Sequence, residues 1–139
     1  LGLGEGLTPT GDDILTGLAF LAAQPGMHLA ARLPAIAAAA DDRDATTLLG
    51  AVTLRHAACG RARQRLHDLV CGIADGDDAL VELAVMRIRE IGHTSGDDIL
   101  TGIRLALELE SDLRDGTATG ASLHREAPAM RRRNTDDQR

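Results

Sequence analysis

Two stretches of this chain carry the same seven residues. Gly11-Asp12-Asp13-Ile14-Leu15-Thr16-Gly17 recurs without change as Gly96-Asp97-Asp98-Ile99-Leu100-Thr101-Gly102, 85 positions later, with Thr10 opposite Ser95 upstream and Leu18 opposite Ile103 downstream. Each copy sets a hydroxyl residue and a glycine ahead of two carboxylates, with an apolar run behind them. In the first turn of a helix, unpaired amides and the positive end of the helix dipole favour acids, so each copy taken alone reads as a well-capped helix start. Two such starts brought together would do more. Paired carboxylates can share a proton or hold a cation such as Mg2+. Asp13 and Asp98 are therefore candidate catalytic acids, and Asp12, Asp13 and Asp98 candidate metal ligands.

The approach to the first copy has glycine at positions 2, 4 and 6. Such a loop exposes backbone amides to an anion, which nominates Gly4, Gly6, Thr8, Thr10 and Gly11 for binding a small anionic substrate. Asp12 and Asp13 oppose an anion there unless a cation bridges them. In the second copy Thr94, Ser95 and Gly96 hold the matching places, and His93, opposite Thr8, is a residue able to carry a proton near neutral pH. A lone histidine also serves well as a structural hydrogen-bonding group. His56 with Cys59 and His67 with Cys71 supply zinc-type ligands at helical spacing, but small core cysteines are the stronger reading of that pattern.

These residues need helices to position them, and the apolar spacing supplies six. The periodicity predicts helices over Asp12 to Ala23, from Leu29 or Pro34 to Ala40, from Thr46 or Thr47 to Gly60, over Arg61 to Ile73, from Asp77 or Asp78 to Gly92, and from near Asp97 until Asp112 to Gly116. Gly17 and Gly102 fall inside two of them, where glycine costs roughly 1 kcal/mol relative to alanine. Their placement implies that the two repeated helices cross closely there. The expected fold is an all-α compact bundle of five to six helices with an internal two-copy loop-helix repeat. It occupies 1-113, and a disordered polar tail over 114-139 includes Arg131 to Arg133.

Composition removes several function classes. The 139 residues carry a formal charge of -6, and Phe20 is the sole aromatic, which argues against binding a phosphate backbone or stacking on bases. The fifteen basic residues are all arginine, so Schiff-base chemistry is excluded. With only Cys59 and Cys71 and no apolar run of about 18 residues, neither a disulfide scaffold nor a membrane span is expected, and a cytoplasmic setting is favoured. The start at Leu1, inside a glycine-rich loop, reads as the C-terminal part of a longer protein.

At the two motifs the chain resembles a known family, the AllH-type subunit of oxamate carbamoyltransferase. Leu3-Gly4-Glu5-Gly6-Leu7-Thr8-Pro9-Thr10-Gly11-Asp12-Asp13 is similar to its Gly-Leu-Thr-Pro-Ser-Gly-Asp-Asp signature, with Glu5 where the pattern more usually has Pro and Thr10 in place of Ser. Ile91-Gly92-His93-Thr94-Ser95-Gly96 with Asp98 and Leu100 resembles its second signature. The resemblance implies a subunit that works with the other subunits of its complex in purine and allantoin catabolism. There carbamoyl transfer between oxalurate and phosphate yields oxamate and carbamoyl phosphate. The runner-up is a non-catalytic scaffold or regulatory subunit in which the motifs serve as caps and packing notches.

Overall fold

The computed structural model describes residues 1–4, 7–42 and 44–123, with side chains described as far as 116. Among them are six α-helices and no strand: α1 Thr10–Ala22, α2 Leu33–Ala39, α3 Leu48–Ala58, α4 Gln64–Asp75, α5 Asp78–Arg89 and α6 Ser95–Leu123. A 3-10 segment, His28–Arg32, precedes α2. Local chemistry explains most of the boundaries. Thr47 caps α3 by accepting from the Gly50 amide at 3.0 Å, Asp77 caps α5 through the Leu80 amide at 3.0 Å, and Pro34 sits in the first turn of α2. Gly76, at φ 68°, ends α4 in the left-handed conformation that glycine adopts without strain.

The helices depart from the periodicity at several boundaries. α1 and α6 start at Thr10 and Ser95 rather than at Asp12 and Asp97. The Pro9 carbonyl accepts from the Asp12 and Asp13 amides and the Thr94 carbonyl from that of Asp98, which draws Gly11 and Gly96 into the first turn. Thr10 therefore does not cap α1; Pro9 holds the cap position and makes no side-chain bond. α4 starts at Gln64 rather than Arg61, because the turn at Gly60, with φ 72°, leads into a non-helical stretch over 61–63. α6 runs past Asp112–Gly116 to Leu123, since an established helix adds one bond per residue and outlasts its apolar stripe. The remainder of the expected tail, 124–139 with Arg131 to Arg133, lies outside the described residues.

α1 is the central helix and packs most extensively on α6 and α3. Phe20, Leu54 and Ile88 are the largest fully buried apolar side chains, each contributing roughly 1.5–3 kcal/mol by leaving water. The crossing of α1 and α6 is built on the repeated glycines. A methyl group at Gly17 would overlap the Ile99 carbonyl, and one at Gly102 would overlap the Ile14 carbonyl. The exchange is reciprocal, since positions 14 and 17 correspond to 99 and 102. Away from this crossing the two units meet different neighbours.

The cysteines are not core residues. Cys59 and Cys71 are both exposed and unbridged, because α4 turns Leu66, Leu69 and Gly72 inward and leaves Cys71 outside. His67 instead meets Phe20 edge-on, with ring centroids 5.0 Å apart.

Candidate functional site

Residues 1–4 fold back on the start of α1. The Gly11 amide donates to the Leu3 carbonyl at 2.9 Å, and the Gly2 amide donates to Asp12 Oδ1 at 2.7 Å. Gly2, at φ 69°, has no room for a side chain, because a Cβ would overlap the Ala45 carbonyl. Asp12 is only 1% exposed, and its other oxygen accepts from the Thr46 hydroxyl. That oxygen lies so close to Gly50 that a methyl group there would overlap it, so Asp12 is packed against the first turn of α3. There the helix dipole favours its charge. One amide of the glycine-rich loop thus grips an anion belonging to the chain itself.

Asp13, 3% exposed, points to the other side of α1 and into the α6 start. Thr8 Oγ1 donates to Asp13 Oδ2 at 3.0 Å and lies 3.2 Å from Ser95 Oγ, which also hydrogen-bonds the Asp13 carboxylate. Burial pushes the Asp13 carboxyl above the usual carboxylate range. The bonds from Ser95 and Thr8 pull it back, the charges of Asp98 and Asp12 add to the rise, and the net direction is upward. Asp98 Oδ2 is buried and has no hydrogen-bond partner among the described residues. The two helix starts therefore bring Asp13, Thr8, Ser95 and Asp98 into one cluster, with a carboxyl shifted upward by burial beside an unpartnered carboxylate oxygen.

The remaining sequence candidates are more peripheral. His93 and Thr94 are exposed, and His93 makes no hydrogen bond to a described residue. Asp97 is also outside, its side chain 66% exposed and paired with Arg89 at 3.0 Å. Gly96 lets α6 approach α5, where a side chain would overlap the Ile88 carbonyl. Gly4, at φ 109°, and Thr10 lie against each other. Gly6 lies outside the described residues. No group of three or more His, Cys, Asp or Glu able to hold a metal occurs among the described residues. With Asp12 committed to Gly2 and Thr46, the Mg2+ expectation has no dedicated ligand set there. Arg104 forms a surface pair with Glu108 at 3.7 Å.

Two residues that matter escaped the sequence reading. Gly50 carried the same signal as Gly17 and Gly102, a glycine within a helical run, and it makes room for Asp12. Glu110 occupies the stripe of Ile99, Ile103 and Ala106 and is 4% exposed. It accepts from the His28 and Leu29 amides at 2.9 and 3.0 Å, from His28 Nδ1 at 2.8 Å and from Arg114 Nε at 2.9 Å. Burial raises its carboxyl, but these donors outweigh that and hold it at about 2. An acid on an apolar stripe was the legible clue to this clasp between α6 and the 3-10 segment.

The sequence model of a family described as oxamate carbamoyltransferase subunit AllH matches residues 1–107, which takes in both Gly-Asp-Asp helix starts. No solved structure matches the chain.

Proposed function

Because the chain belongs to the family of oxamate carbamoyltransferase subunit AllH, we propose that the cluster of Asp13, Thr8, Ser95 and Asp98 binds a small carbamoylated anion and manages its proton. The observation that carries this is the buried Asp13, held toward its protonated form within the influence of the Asp98 charge. An upward shift by burial is the direction that favours a carboxyl acting as a proton donor.

In carbamoyl transfer from oxalurate to phosphate, a phosphate oxygen bonds to the carbamoyl carbon and the bond from that carbon to the oxamate nitrogen breaks. The departing nitrogen takes a proton. Asp13 is the group that supplies it; Asp98 takes the proton that the attacking hydrogen phosphate gives up and passes it back to Asp13, and Thr8 and Ser95 hold the carboxylate in place. The hydroxyls of Thr10 and Thr94 orient the anion, the Gly11 and Gly96 amides being engaged by the Leu3 and Ile91 carbonyls, and His93 at the rim exchanges protons with solvent. The scheme uses no metal ion. It takes the other subunits of the complex as partners and purine or allantoin breakdown as the setting. Two exposed, unbridged cysteines suit the reduced cytoplasm.

The test is carbamoyl phosphate formation by the reconstituted complex carrying Asp13→Asn or Asp98→Asn. Losses of about 10²-fold or more in kcat with helicity retained are the expected result for general acid–base groups. Unchanged turnover in both variants removes the assignment and leaves the scaffold reading. Asp12 favours that second reading for its own position, since both its oxygens are engaged inside the fold.

A further inference from the structure

A concavity lies one turn further along α1 from the acids. It is a cavity of about 350 Å³, within the range of small-ligand sites. Val52, Leu66, Ile91 and Ile99 contribute apolar walls, while His56, Arg61 and Arg63 bring the only charged or titratable groups among the described lining residues. No carboxylate is among the described lining residues. Arg61 and Arg63 form no ion pair with a described residue, although the other sign of charge is plentiful on this chain.

Thr16 supplies the second, independent observation. It lines the cavity and is 4% exposed, and its hydroxyl is buried with no hydrogen-bond partner among the described residues. Buried hydroxyls are nearly always paired, so an orphan in a cavity wall points to a partner that arrives from outside. Its duplicate shows that the orphaning is not inherent to the motif. Thr101, in the same heptapeptide, donates to the carbonyl of Asp97 at 2.9 Å. Thr16 makes no such bond to Asp12.

We propose that this cavity binds a small monocarboxylate with a compact apolar body, at a site separate from the Asp13 cluster. The apolar body rests against Val52, Leu66, Ile91 and Ile99. The Thr16 hydroxyl donates to an oxygen of the ligand, and the guanidinium groups of Arg61 and Arg63 donate to its carboxylate, the planar geometry that arginine matches best. A bare phosphate would leave the apolar walls uncovered, which is why the carboxylate is the better fit. The inference does not depend on the proposed carbamoyl chemistry.

Isovalerate is the probe, titrated into the intact protein while the methyl resonances of Val52, Leu66, Ile91 and Ile99 are followed. Saturable shifts confined to these methyls are expected, with uncharged isovaleramide binding about tenfold more weakly and inorganic phosphate failing to displace the probe. The double variant Arg61→Gln/Arg63→Gln should weaken isovalerate about tenfold with an unchanged circular dichroism spectrum, because both side chains are exposed. Thr16→Val should weaken it about threefold or more while sparing the apolar contacts. Asp13→Asn should leave it unaltered. Absence of saturable shifts, equal binding of the amide, or full binding by the arginine double variant would each overturn the proposal. The arginine result stands even if Thr16→Val repacks the core.

Discussion

The two Gly-Asp-Asp-Ile-Leu-Thr-Gly segments are identical in sequence, yet they serve different ends. At the crossing they act alike, each glycine admitting the backbone of the other helix. Ahead of the crossing they diverge. The first acid of copy one, Asp12, is buried between the Gly2 amide and the Thr46 hydroxyl, while its counterpart Asp97 lies in solvent against Arg89. The threonines diverge as well, Thr101 bonding its own helix and Thr16 left without a partner among the described residues. A short motif therefore specifies the helix start and the close approach, and the segments packed around it specify what its polar groups do.

The largest expected effect tests the shared part of this comparison. Gly17→Ala and Gly102→Ala each drive a methyl group into a carbonyl of the opposing helix, and backbone cannot yield as a side-chain tip can. Each should lose about 3 kcal/mol or fail to fold, at the upper end of overpacking costs, with similar losses in chemical denaturation. A mild, unequal pair of losses would show that the crossing is not reciprocal.

The divergent part is sharpened by the first acids. Asp12→Ala leaves a buried amide and a hydroxyl unpaired and should cost about 2–3 kcal/mol, whereas Asp97→Ala removes only an exposed ion pair and should cost about 0.5 kcal/mol or less. Equal losses in thermal or urea denaturation would break the distinction.

The smallest effect is one of pH and sets copy one's Asp13 against Glu110, further along the helix that copy two begins. Glu110 falls from 4.5 to about 2 on folding, so its stabilisation is fully present above pH 4.5 and is lost as pH falls through about 2. Asp13 is raised on folding, so its contribution is present below its ordinary 3.8 and is lost as pH rises through the folded value. Stability measured from about pH 3 to 7 should therefore show opposite slopes when each variant is compared with the parent. Glu110→Gln loses progressively more as pH rises, and Asp13→Asn loses progressively less. Slopes of the same sign would remove the contrast.

Much of the bundle was legible because helix formation is local. The apolar spacing of Ile14, Leu15, Leu18 and Leu21 and the stops at Gly60, Gly76 and Gly92 are read over a few residues, and each predicted helix has its counterpart. Helix starts were read two residues late at Thr10 and Ser95, because the carbonyls of Pro9 and Thr94 rather than side chains receive the first amides. The close crossing of α1 and α6 was anticipated from Gly17 and Gly102, whose missing side chains have meaning only if another helix comes close. The cavity at Thr16 was not anticipated, since its walls come from α1, α3, α4, α6 and two connections between helices.

By itself the sequence determined an all-helical chain, the place of most turns and the membership shown by its two motifs, for these depend on residue type and spacing along a few turns. Only the tertiary structure decided which of four chemically equal aspartates lies buried and engaged, which is pushed toward its protonated form and which faces water. Burial and electrostatic environment come from neighbours far away in the chain. Gly2, Thr46 and Gly50 make Asp12 structural, and Ser95 and Asp98 alter the chemistry of Asp13.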